Sequence, residues 1–533
     1  MSIEVLLGDE AVALGAIHSG ISGSFAYPGT PSTEIQEYII KYAKNNNSIY
    51  AEWSTNEKSA YETALGVSYI GKRTLICMKH VGLNVSADPF MNSAITGVNG
   101  GLVVVVADDP GMHSSQNEQD SRYYADFARI ACFEPSNQQE AYDMTRDAFN
   151  MSEKFKIPVM LRLVTRLSHS RANIKTKPPV NQNKINIPEN YRAWTLLPVN
   201  ARVQFEKLVK LQPELLEYSD NSRYNKLVIE PESKIGVIAS GIAYNYFMEN
   251  AKDLKLSYLK IGTYPLPRKK ILQLVENSEK IIVMEEGYPF IEKQVKEVIY
   301  PVEKEICGKL SGLLPITGEL NPDVVRKAMS LRLNRNPDID TSNVVIKRLP
   351  RFCDGCPHEN TFDALDKVRE IYPDIKVFSD IGCYTLGALR NPPSIETCVC
   401  MGASTGMAKG AANCGLKHSV GVIGDSTFLH AGIPTLLKAA AENTPMTLII
   451  LDNSITAMTG GQDTPITGTQ IDRLIKGLGI PEEHIKIINP VRKNLEININ
   501  IIKNEVEYPG LSVIIARREC IQLLKKKKDR YKI

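Results

Sequence analysis

Residues 419–426 read Ser-Val-Gly-Val-Ile-Gly-Asp-Ser, and residues 446–453 read Met-Thr-Leu-Ile-Ile-Leu-Asp-Asn. Each stretch is a short apolar run followed by polar residues, which predicts a buried strand with a polar carboxyl end. Consecutive parallel strands bring these ends to one edge of a sheet, where open α/β folds bind ligands. Asp425 and Asn453, 28 positions apart, offer there the hard oxygen ligands that magnesium prefers. These stretches predict a parallel sheet with a magnesium site at its edge.

Gly424 and Ser426 flank the first candidate ligand. A glycine at this point lets backbone NH groups approach a phosphate closely. The alternative is that Gly, Asp and Asn only form the turns in which strands commonly end. The spacing alone leaves both interpretations open.

The rest of the chain alternates short β-branched runs with longer helical patterns, which predicts an α/β fold of several three-layer parallel-sheet domains. The other predicted strands include Leu102–Val106, Pro158–Leu163, Ile235–Ala239, Lys280–Met284, Lys376–Phe378 and Leu511–Ile515. Stretches rich in Asn, Lys and Pro predict surface connections at about 172–230 and 331–350. The expected division of the chain is a first unit at 1–171, a linker at 172–230, a second unit at 231–330, a third unit at 351–520 and a basic tail at 521–533.

Composition narrows the class of function. The chain has 533 residues and a net charge of +3, which gives no reason to expect a nucleic-acid partner. The lysine run at 525–528 is interpreted as a solvated tail. No apolar stretch reaches membrane-spanning length, and the amino terminus lacks the features of a signal peptide. We expect a cytoplasmic protein, whose ten cysteines are better candidates for metal binding than for disulfides.

The two strand ends resemble the signature of thiamine-diphosphate enzymes, whose usual form is Gly-Asp-Gly followed at a similar spacing by Asn-Asn. This chain departs from it at Ser426, which replaces the second glycine, and at Asp452, which replaces the first asparagine. The diphosphate and magnesium contacts that the resemblance implies are Gly424, Asp425, Ser426, Asn453 and, through its backbone carbonyl, Ile455.

A helix of small residues is predicted to begin at Gly402, immediately after Met401. In thiamine enzymes a bulky apolar residue at the Met401 position bends the cofactor, and the carbonyl two residues earlier accepts its 4′-amino group. The resemblance assigns these roles to Met401 and to Val399. The alternative for Met401 is ordinary core packing.

Residues 57–66 fit the pattern Glu-x2-Ala-x3-Ala-x-Gly at every fixed position, and they predict a tightly packed helix. In thiamine enzymes the glutamate of this pattern bonds to N1′ of the cofactor's pyrimidine ring. The resemblance assigns this role to Glu57, with Glu52 as second choice, and burial would help the carboxyl keep its proton. A carboxylate at a helix start also gains from the helix dipole, so capping is the alternative. The first unit would then be the pyrimidine-binding half and the third unit the diphosphate-binding half.

The order of these halves, with an α/β unit of the transketolase C-terminal type between them, resembles the 2-oxoacid:ferredoxin oxidoreductases. Within them the chain is most similar to the large (alpha) subunits of the indolepyruvate type. The segments that carry the resemblance are Tyr27–Glu34, Met78–Val85, Cys353–His358, Asp380–Gly387 and Thr456–Gln462. By this resemblance Thr30 lies beside the substrate carboxylate. Arg122 is a candidate clamp for that carboxylate, and the alternative is a surface arginine.

The resemblance implies oxidative decarboxylation of indolepyruvate and other aryl pyruvates, which arise in the catabolism of Trp, Tyr and Phe. The electrons would pass to iron–sulfur centres and ferredoxin, and the acyl group would pass to coenzyme A. It also implies a smaller beta subunit, a dimer of heterodimers, and cofactor sites assembled from two protomers. The alternatives are a non-oxidative 2-oxo acid decarboxylase or lyase and a catalytically idle scaffold subunit.

The cysteines bear on the electron route. Cys353, Cys356, Cys383 and Cys520 follow the order of the four cluster-binding cysteines in pyruvate and 2-oxoglutarate relatives, so the resemblance implies a [4Fe–4S] site. The alternatives are zinc and unligated buried thiols. Large subunits of the indolepyruvate type normally end in a ferredoxin-like domain with two further cysteine runs. This sequence has no such run, so we expect the onward electron relay to come from elsewhere.

Overall fold

The computed structural model describes residues 2–46, 48–189, 192–252, 254–330 and 350–530, the last five without their side chains. The chain forms two compact units, Met1–Asp338 and Ile339–Ile533. From here on these are called the first and the second unit. The first contains both of the predicted units at 1–171 and 231–330. The predicted connection at 331–350 lies, apart from its last residue, outside the described residues.

The first unit alternates strands and helices. Its strands are β1 (Ile3–Leu7), β2 (Ile21–Ala26), β3 (Tyr50–Trp53), β4 (Arg73–Lys79), β5 (Leu102–Asp108), β6 (Cys132–Phe133), β7 (Val159–Val164), β8 (Arg171–Lys175), β9 (Leu227–Val228), β10 (Ile235–Ser240), β11 (Ser257–Ile261), β12 (Thr263–Tyr264), β13 (Lys280–Met284) and β14 (Glu305–Cys307). Its α-helices are α1 (Gly8–His18), α2 (Thr33–Asn46), α3 (Glu57–Tyr69), α4 (His80–Val85), α5 (Ala87–Thr96), α6 (Arg122–Phe127), α7 (Gln138–Phe155), α8 (Thr165–Ser168), α9 (Pro198–Asn221), α10 (Gly241–Ala251), α11 (Arg268–Glu276), α12 (Phe290–Ile299) and α13 (Pro322–Ala328).

The main sheet of the first unit has the strand order β12-β6-β7-β5-β4-β2-β3. Its strands are parallel except β12, which runs antiparallel to β6. The central strand β5 is buried along its whole length, because it has a strand on each side and helices cover the sheet. A strand that is buried on both faces is apolar throughout, which is why its sequence reads as a continuous apolar run.

A second sheet has the order β14-β13-β10-β11-β9. One of its faces packs into the same hydrophobic core as the main sheet, and its other face has a separate core against α10 and α13. The two sheets therefore share one interior, and β12, which follows the second sheet's β11, belongs to the first.

The segment at 172–230, which the sequence predicts to be a linker, contains regular secondary structure. It contains the end of β8, the strand β9 and the 24-residue helix α9. The helix buries Leu208 and Leu215, seven positions apart, and leaves most of its surface polar. A helix on a surface needs only such a narrow apolar stripe, and Pro213 inside it argued against a helix at the sequence level.

The second unit holds one parallel sheet with the order β15-β16-β17-β19-β18. Its strands are β15 (Lys376–Ser379), β16 (Ser419–Gly424), β17 (Met446–Asp452), β18 (Ile485–Ile488) and β19 (Ser512–Arg517). Its α-helices are α14 (Pro357–Ile371), α15 (Ala403–Asn413), α16 (Asp425–Thr427), α17 (Ile433–Glu442), α18 (Thr469–Lys476), α19 (Leu495–Glu507) and α20 (Ile521–Arg530). Separate hydrophobic cores line its two faces.

The predicted α/β class with several parallel-sheet layers is confirmed. The predicted basic tail is helical from Ile521 to Arg530. Among the described residues, none of the helices combines the length and the apolar character that crossing a membrane requires.

Candidate active site

Asp425 and Asn453 lie at the carboxyl ends of β16 and β17, which are adjacent and parallel, with Gly424 in register with Leu451. The carboxylate of Asp425 is buried. It accepts hydrogen bonds from the backbone NH groups of Ser426 and Ser454, each at 2.8 Å. The two predicted magnesium ligands thus lie on neighbouring strand ends, and the NH of Ser454 links the segment after Asn453 to Asp425.

Burial, and secondarily the charge of Asp452, raises the pKa of Asp425 to about 7. A carboxylate held out of water needs a compensating positive charge or must take up a proton. A bound magnesium ion would supply that charge, so the site suits a cation.

The amide of Asn453 has a defined orientation. Its Oδ1 accepts the backbone NH of Ile455 at 3.1 Å, and its Nδ2 lies 3.0 Å from Nε2 of His358. Burial lowers the pKa of His358 to about 4, so the ring is neutral at physiological pH and its Nε2 accepts from the amide. Sequence reasoning missed this role of His358, although the residue stands in the quoted segment Cys353–His358.

Asp452, which stands where the thiamine signature has an asparagine, has a structural partner. Its Oδ2 accepts from Nε of Arg517 on β19 at 2.6 Å, and Arg517 also pairs with Asp472. The aspartate that departs from the signature thus forms an ion pair that joins β17 to its neighbour in the sheet, β19.

Two glycines are required by close contacts. A Cβ on Gly424 would lie 2.7 Å from Cε1 of Tyr384, and a Cβ on Gly402 would lie 2.7 Å from Cβ of Ala431. Gly402 also has a φ of +84°, which favours glycine. The ring of Tyr384 therefore packs directly beneath the predicted diphosphate loop. Tyr384 lies in the quoted segment Asp380–Gly387, but its sequence alone did not indicate this contact.

The carboxylate of Asp380 caps the start of α15. It accepts from the backbone NH and the hydroxyl of Ser404, at 3.2 and 2.6 Å, and from the hydroxyl of Tyr384. Met401, just before this helix, is half-buried, and Val399 is exposed. Their assignments as wedge and as carbonyl acceptor stay predictions.

Glu57 is the first residue of α3 and is buried. The capping role belongs to Asn56, whose side chain accepts from the NH of Ser59 at 2.8 Å. A Cβ on Gly82 would lie 2.6 Å from Oε1 of Glu57, so the glycine of the Met78–Val85 segment makes room for this carboxyl. Glu52, the second choice, instead accepts from the hydroxyl of the exposed Tyr50 at 2.7 Å.

Lys79 lies near Glu57 and near Thr30. Its Nζ donates to the carbonyl of Ser114 at 3.1 Å, and the hydroxyl of Ser114 donates to the carbonyl of Thr30 at 3.2 Å. Burial lowers the pKa of Lys79, against the opposing charges of Asp109 and Glu57. Sequence reasoning quoted Lys79 within a motif and gave it no role.

Arg122, the predicted carboxylate clamp, lies in a buried ion-pair network, and the clamp role stays a prediction. The side chain is buried, and its guanidinium bonds to Asp120 and to the carbonyl of Glu286 at 2.9 Å, with Glu285 at 3.0 Å. It belongs to a buried network that also contains Arg162, Asp108, Glu134 and Tyr264. Its Nε and Nη2 groups donate to oxygens of the protein.

The four predicted cluster cysteines come together in the second unit. The thiols of Cys353, Cys356 and Cys520 all act electrostatically on Cys383, whose pKa rises to about 12, chiefly through burial. The NH of Cys520 donates to the carbonyl of Asn453 at 3.2 Å. Among the described residues, no three of these sulfur atoms lie within 4.8 Å of one another.

Comparisons with known proteins match a segment in each of the two units. Residues 14–209 match the family model "Pyruvate flavodoxin/ferredoxin oxidoreductase, thiamine diP-bdg", and residues 380–480 match "Thiamine pyrophosphate enzyme, C-terminal TPP binding domain". A solved structure of 2-oxoglutarate:ferredoxin oxidoreductase from Magnetococcus marinus aligns with a TM-score of 0.51 and 18% identity. It covers 62% of this chain and 65% of that one. A similarity of this size shows the fold alone.

Curated relatives extend over nearly the whole chain. The indolepyruvate oxidoreductase subunit IorA of Archaeoglobus fulgidus is 38% identical over 547 residues, covering 97% of this chain and 86% of the relative. The IorA subunit of Methanothermobacter marburgensis is 38% identical over 542 residues, with the same coverage of both chains. The predicted family is thereby confirmed. The chain belongs to the indolepyruvate oxidoreductase IorA family, the alpha subunits of thiamine-diphosphate-dependent 2-oxo acid oxidoreductases.

Proposed function

We propose that this chain binds magnesium and thiamine diphosphate and oxidatively decarboxylates aryl pyruvates of the indolepyruvate type. The electrons pass one at a time to ferredoxin, and the acyl group passes to coenzyme A. The observation that carries the proposal is the placement of Asp425 and Asn453 on adjacent strand ends, with their oxygens held in position. The names of the relatives supply the substrate class.

The residues present fit the cofactor. Asp425 is a buried carboxyl with a raised pKa, and the Asn453 amide is fixed from both ends. These are hard oxygen donors of the kind that magnesium binds together with phosphate oxygens and water. The carbonyl of Ile455 is the proposed third protein ligand. Gly424 and Ser426 form the backbone that would contact the diphosphate, above the ring of Tyr384.

Thiamine diphosphate, when bound, supplies a carbon nucleophile and stabilises the electron pair left after CO2 departs. The part of this chain in that chemistry is to hold a proton at Glu57, facing the pyrimidine ring. Its burial at the start of α3, in the space that Gly82 leaves open, supports this role. Met401 would bend the cofactor, and the carbonyl of Val399 would accept its amino group.

We assign the substrate carboxylate to Lys79 in place of Arg122. Lys79 is a partly buried cation near both Glu57 and the Thr30 segment. The ammonium group offers a charge-assisted hydrogen bond to the carboxylate of a 2-oxo acid. Thr30 would then border the same end of the substrate.

We propose a [4Fe–4S] cluster for Cys353, Cys356, Cys383 and Cys520. A tetrahedral zinc ion with bonds of about 2.3 Å would hold its four sulfurs about 3.8 Å apart. No three of the described cysteine sulfurs lie within 4.8 Å of one another, so we favour the larger cubane cluster. The bond from Cys520 to the carbonyl of Asn453 places this cysteine beside a proposed magnesium ligand, which suits an electron acceptor close to the cofactor.

The test of the whole proposal is anaerobic preparation of the chain with the smaller beta subunit that the family implies, with which it would form a dimer of heterodimers. We expect bound thiamine diphosphate, iron and sulfide, and ferredoxin reduction that requires an aryl pyruvate and coenzyme A. Release of an aryl acetaldehyde without ferredoxin reduction would identify a non-oxidative decarboxylase. Failure of the complex to bind thiamine diphosphate would refute the proposal and favour a scaffold subunit.

Glu57→Gln tests the proton-holding role. We expect turnover to fall by about 10²–10⁴-fold, as for the loss of a general acid or base, while the affinity for magnesium and thiamine diphosphate stays within about twofold. Glu52→Gln is the matched control, because Glu52 is only half-buried and bonds to the hydroxyl of the exposed Tyr50. Unchanged turnover in Glu57→Gln would reject the assignment.

A further inference from the structure

Three side chains from separate segments of the first unit meet away from the residues assigned to the cofactor. Asp9 is the second residue of α1, Glu34 is the second residue of α2, and His169 follows α8. One ligand atom from each lies within 4.8 Å of the others. Nε2 of His169 is 3.4 Å from Oε2 of Glu34. Two carboxylates and an imidazole therefore surround one point.

Asp9 is the unusual member of this group. It is completely buried, and neither of its carboxylate oxygens has a hydrogen-bond partner among the described residues. Buried polar atoms in native proteins nearly always have partners. Burial raises the pKa of Asp9 well above its usual value, and the nearby hydroxyl of Ser168 opposes this only in part.

The start of α1 does not explain Asp9. Glu10, the next residue, makes the capping contact, since its carboxylate accepts from the NH of Leu7 at 2.8 Å. The NH of Gly8 donates to the carbonyl of Ser170 at 3.2 Å. One oxygen of the Asp9 carboxylate instead lies within 4.8 Å of ligand atoms of Glu34 and His169.

We propose that Asp9, Glu34 and His169 bind a divalent transition-metal ion. Mixed imidazole and carboxylate ligands suit zinc-like ions, whereas magnesium and calcium prefer oxygen alone. Bond lengths of about 2.0–2.2 Å require ligand atoms somewhat closer than here. Small rotations of the accessible Glu34 and His169 side chains provide that approach. His169 is about one-third exposed, so the ion has an entry path and a position open to water.

The ion would fasten three segments together. Glu34 ends the Tyr27–Glu34 segment, in which the hydroxyl of Thr33 accepts the NH of Gly29 at 3.1 Å. Thr30 lies between these two residues. A metal at Glu34 would therefore stiffen the start of α2 and the turn that carries Thr30. This role is structural and does not depend on whether the chain binds thiamine diphosphate.

Cobalt(II) is the probe, because its absorption spectrum separates oxygen and nitrogen ligands from thiolates. The measurement uses the full chain after chelator treatment, without thiamine diphosphate. All proteins carry Asp425→Ala, so that the proposed magnesium ligand does not contribute. We expect one cobalt ion bound through oxygen and nitrogen ligands, which gives weak ligand-field bands. Cobalt bound by the cysteines would instead give a thiolate charge-transfer band.

Asp9→Asn and His169→Gln should each weaken this cobalt binding by about 100-fold or more. Glu10→Gln is the matched control, because it removes a charge one residue away and glutamine retains the cap, and its affinity should stay within about twofold. Saturating cobalt should raise the melting temperature of the control but not that of Asp9→Asn. Metal-free Asp9→Asn should fold at least as well as its parent, since it loses a buried carboxylate. Equal cobalt affinity and spectra in Asp9→Asn and its parent, or only thiolate bands in the parent, would overturn the proposal.

Discussion

Arg122 and Asp425 are both buried charged side chains of α/β units, but their charges are satisfied differently. Asp120, Glu285 and backbone carbonyls surround the guanidinium of Arg122. Asp425 receives two backbone NH groups, and its pKa is still raised to about 7. A buried charge that is matched inside the protein maintains structure, whereas a buried carboxylate short of positive charge suits a cation. Burial alone therefore does not identify a ligand-binding residue.

The largest expected effect is the loss of stability when Arg122, the buried charge that is matched inside the protein, is replaced. Arg122→Met should lower the free energy of unfolding of the first unit by about 3–5 kcal/mol, because it leaves buried carboxylates without their partner. Hydrogen exchange of β5 and β7 under native conditions measures this loss. Arg166→Met is the control, since Arg166 is largely exposed where it pairs with Glu319 and its loss should cost no more than about 1 kcal/mol. An unchanged stability with a raised KM for the 2-oxo acid would restore Arg122 as the clamp.

The next largest effect is the loss of cofactor affinity when Asp425, the buried carboxylate short of positive charge, is replaced. Asp425→Ala should weaken binding of magnesium and thiamine diphosphate by about 100-fold or more, since it removes a direct ligand, while the second unit stays folded. Calorimetric titration and thiamine analysis of the purified protein measure this change. In the control Asp452→Asn, Arg517 retains Asp472, so the affinity should stay within about threefold. Full cofactor occupancy in Asp425→Ala would contradict the proposed site.

His358 provides a smaller test of the same site. His358→Ala frees the Nδ2 of Asn453, so magnesium affinity should fall by about 10–100-fold, as for other residues that orient a ligand. His358→Gln should restore most of it, because its amide oxygen can accept the same hydrogen bond. His418→Asn is the control in the same unit, where His418 pairs with Asp374. Equal magnesium affinities in His358→Ala and His358→Gln would remove the orienting role.

The smallest effect concerns the cation that replaces Arg122 as clamp. Lys79→Met should raise the KM for the aryl pyruvate by about tenfold, corresponding to one charge-assisted contact, with little change in cofactor affinity. Lys58→Met is the control, because Lys58 is half-exposed and pairs with Glu62. If Lys79→Met weakened cofactor binding and left KM unchanged, Lys79 would belong to the cofactor site.

The sequence was most informative where the chemistry is local. Asp425 and Asn453 end apolar runs, so strand prediction alone placed them at one sheet edge. The helix of Glu57 also occurs as predicted, at Glu57–Tyr69, because its small residues recur with helical spacing. In these places the pattern and the structure depend on residues that are close together in the chain.

The sequence was least informative where a residue depends on distant partners. Arg122 bonds to the carbonyl of Glu286, 164 positions away, and Arg517 pairs with Asp452 across 65 positions. No spacing rule indicates such contacts, so Arg122 could be interpreted as a clamp. For the same reason the role of His358 toward Asn453, 95 positions away, was not foreseen. The helix α9 was missed because its buried stripe is narrow.

The short strand β12 limits how this protein can be divided or recombined. It comes from the second α/β segment but completes the edge of the first sheet, and Tyr264 within it contacts the network around Arg122. A gene fragment that stops after residue 230 would leave β6 with an open edge and buried charges without a neighbour. Transfer of residues 1–230 into another thiamine enzyme would therefore have to include residues 231–330. The two segments can be exchanged between proteins only together.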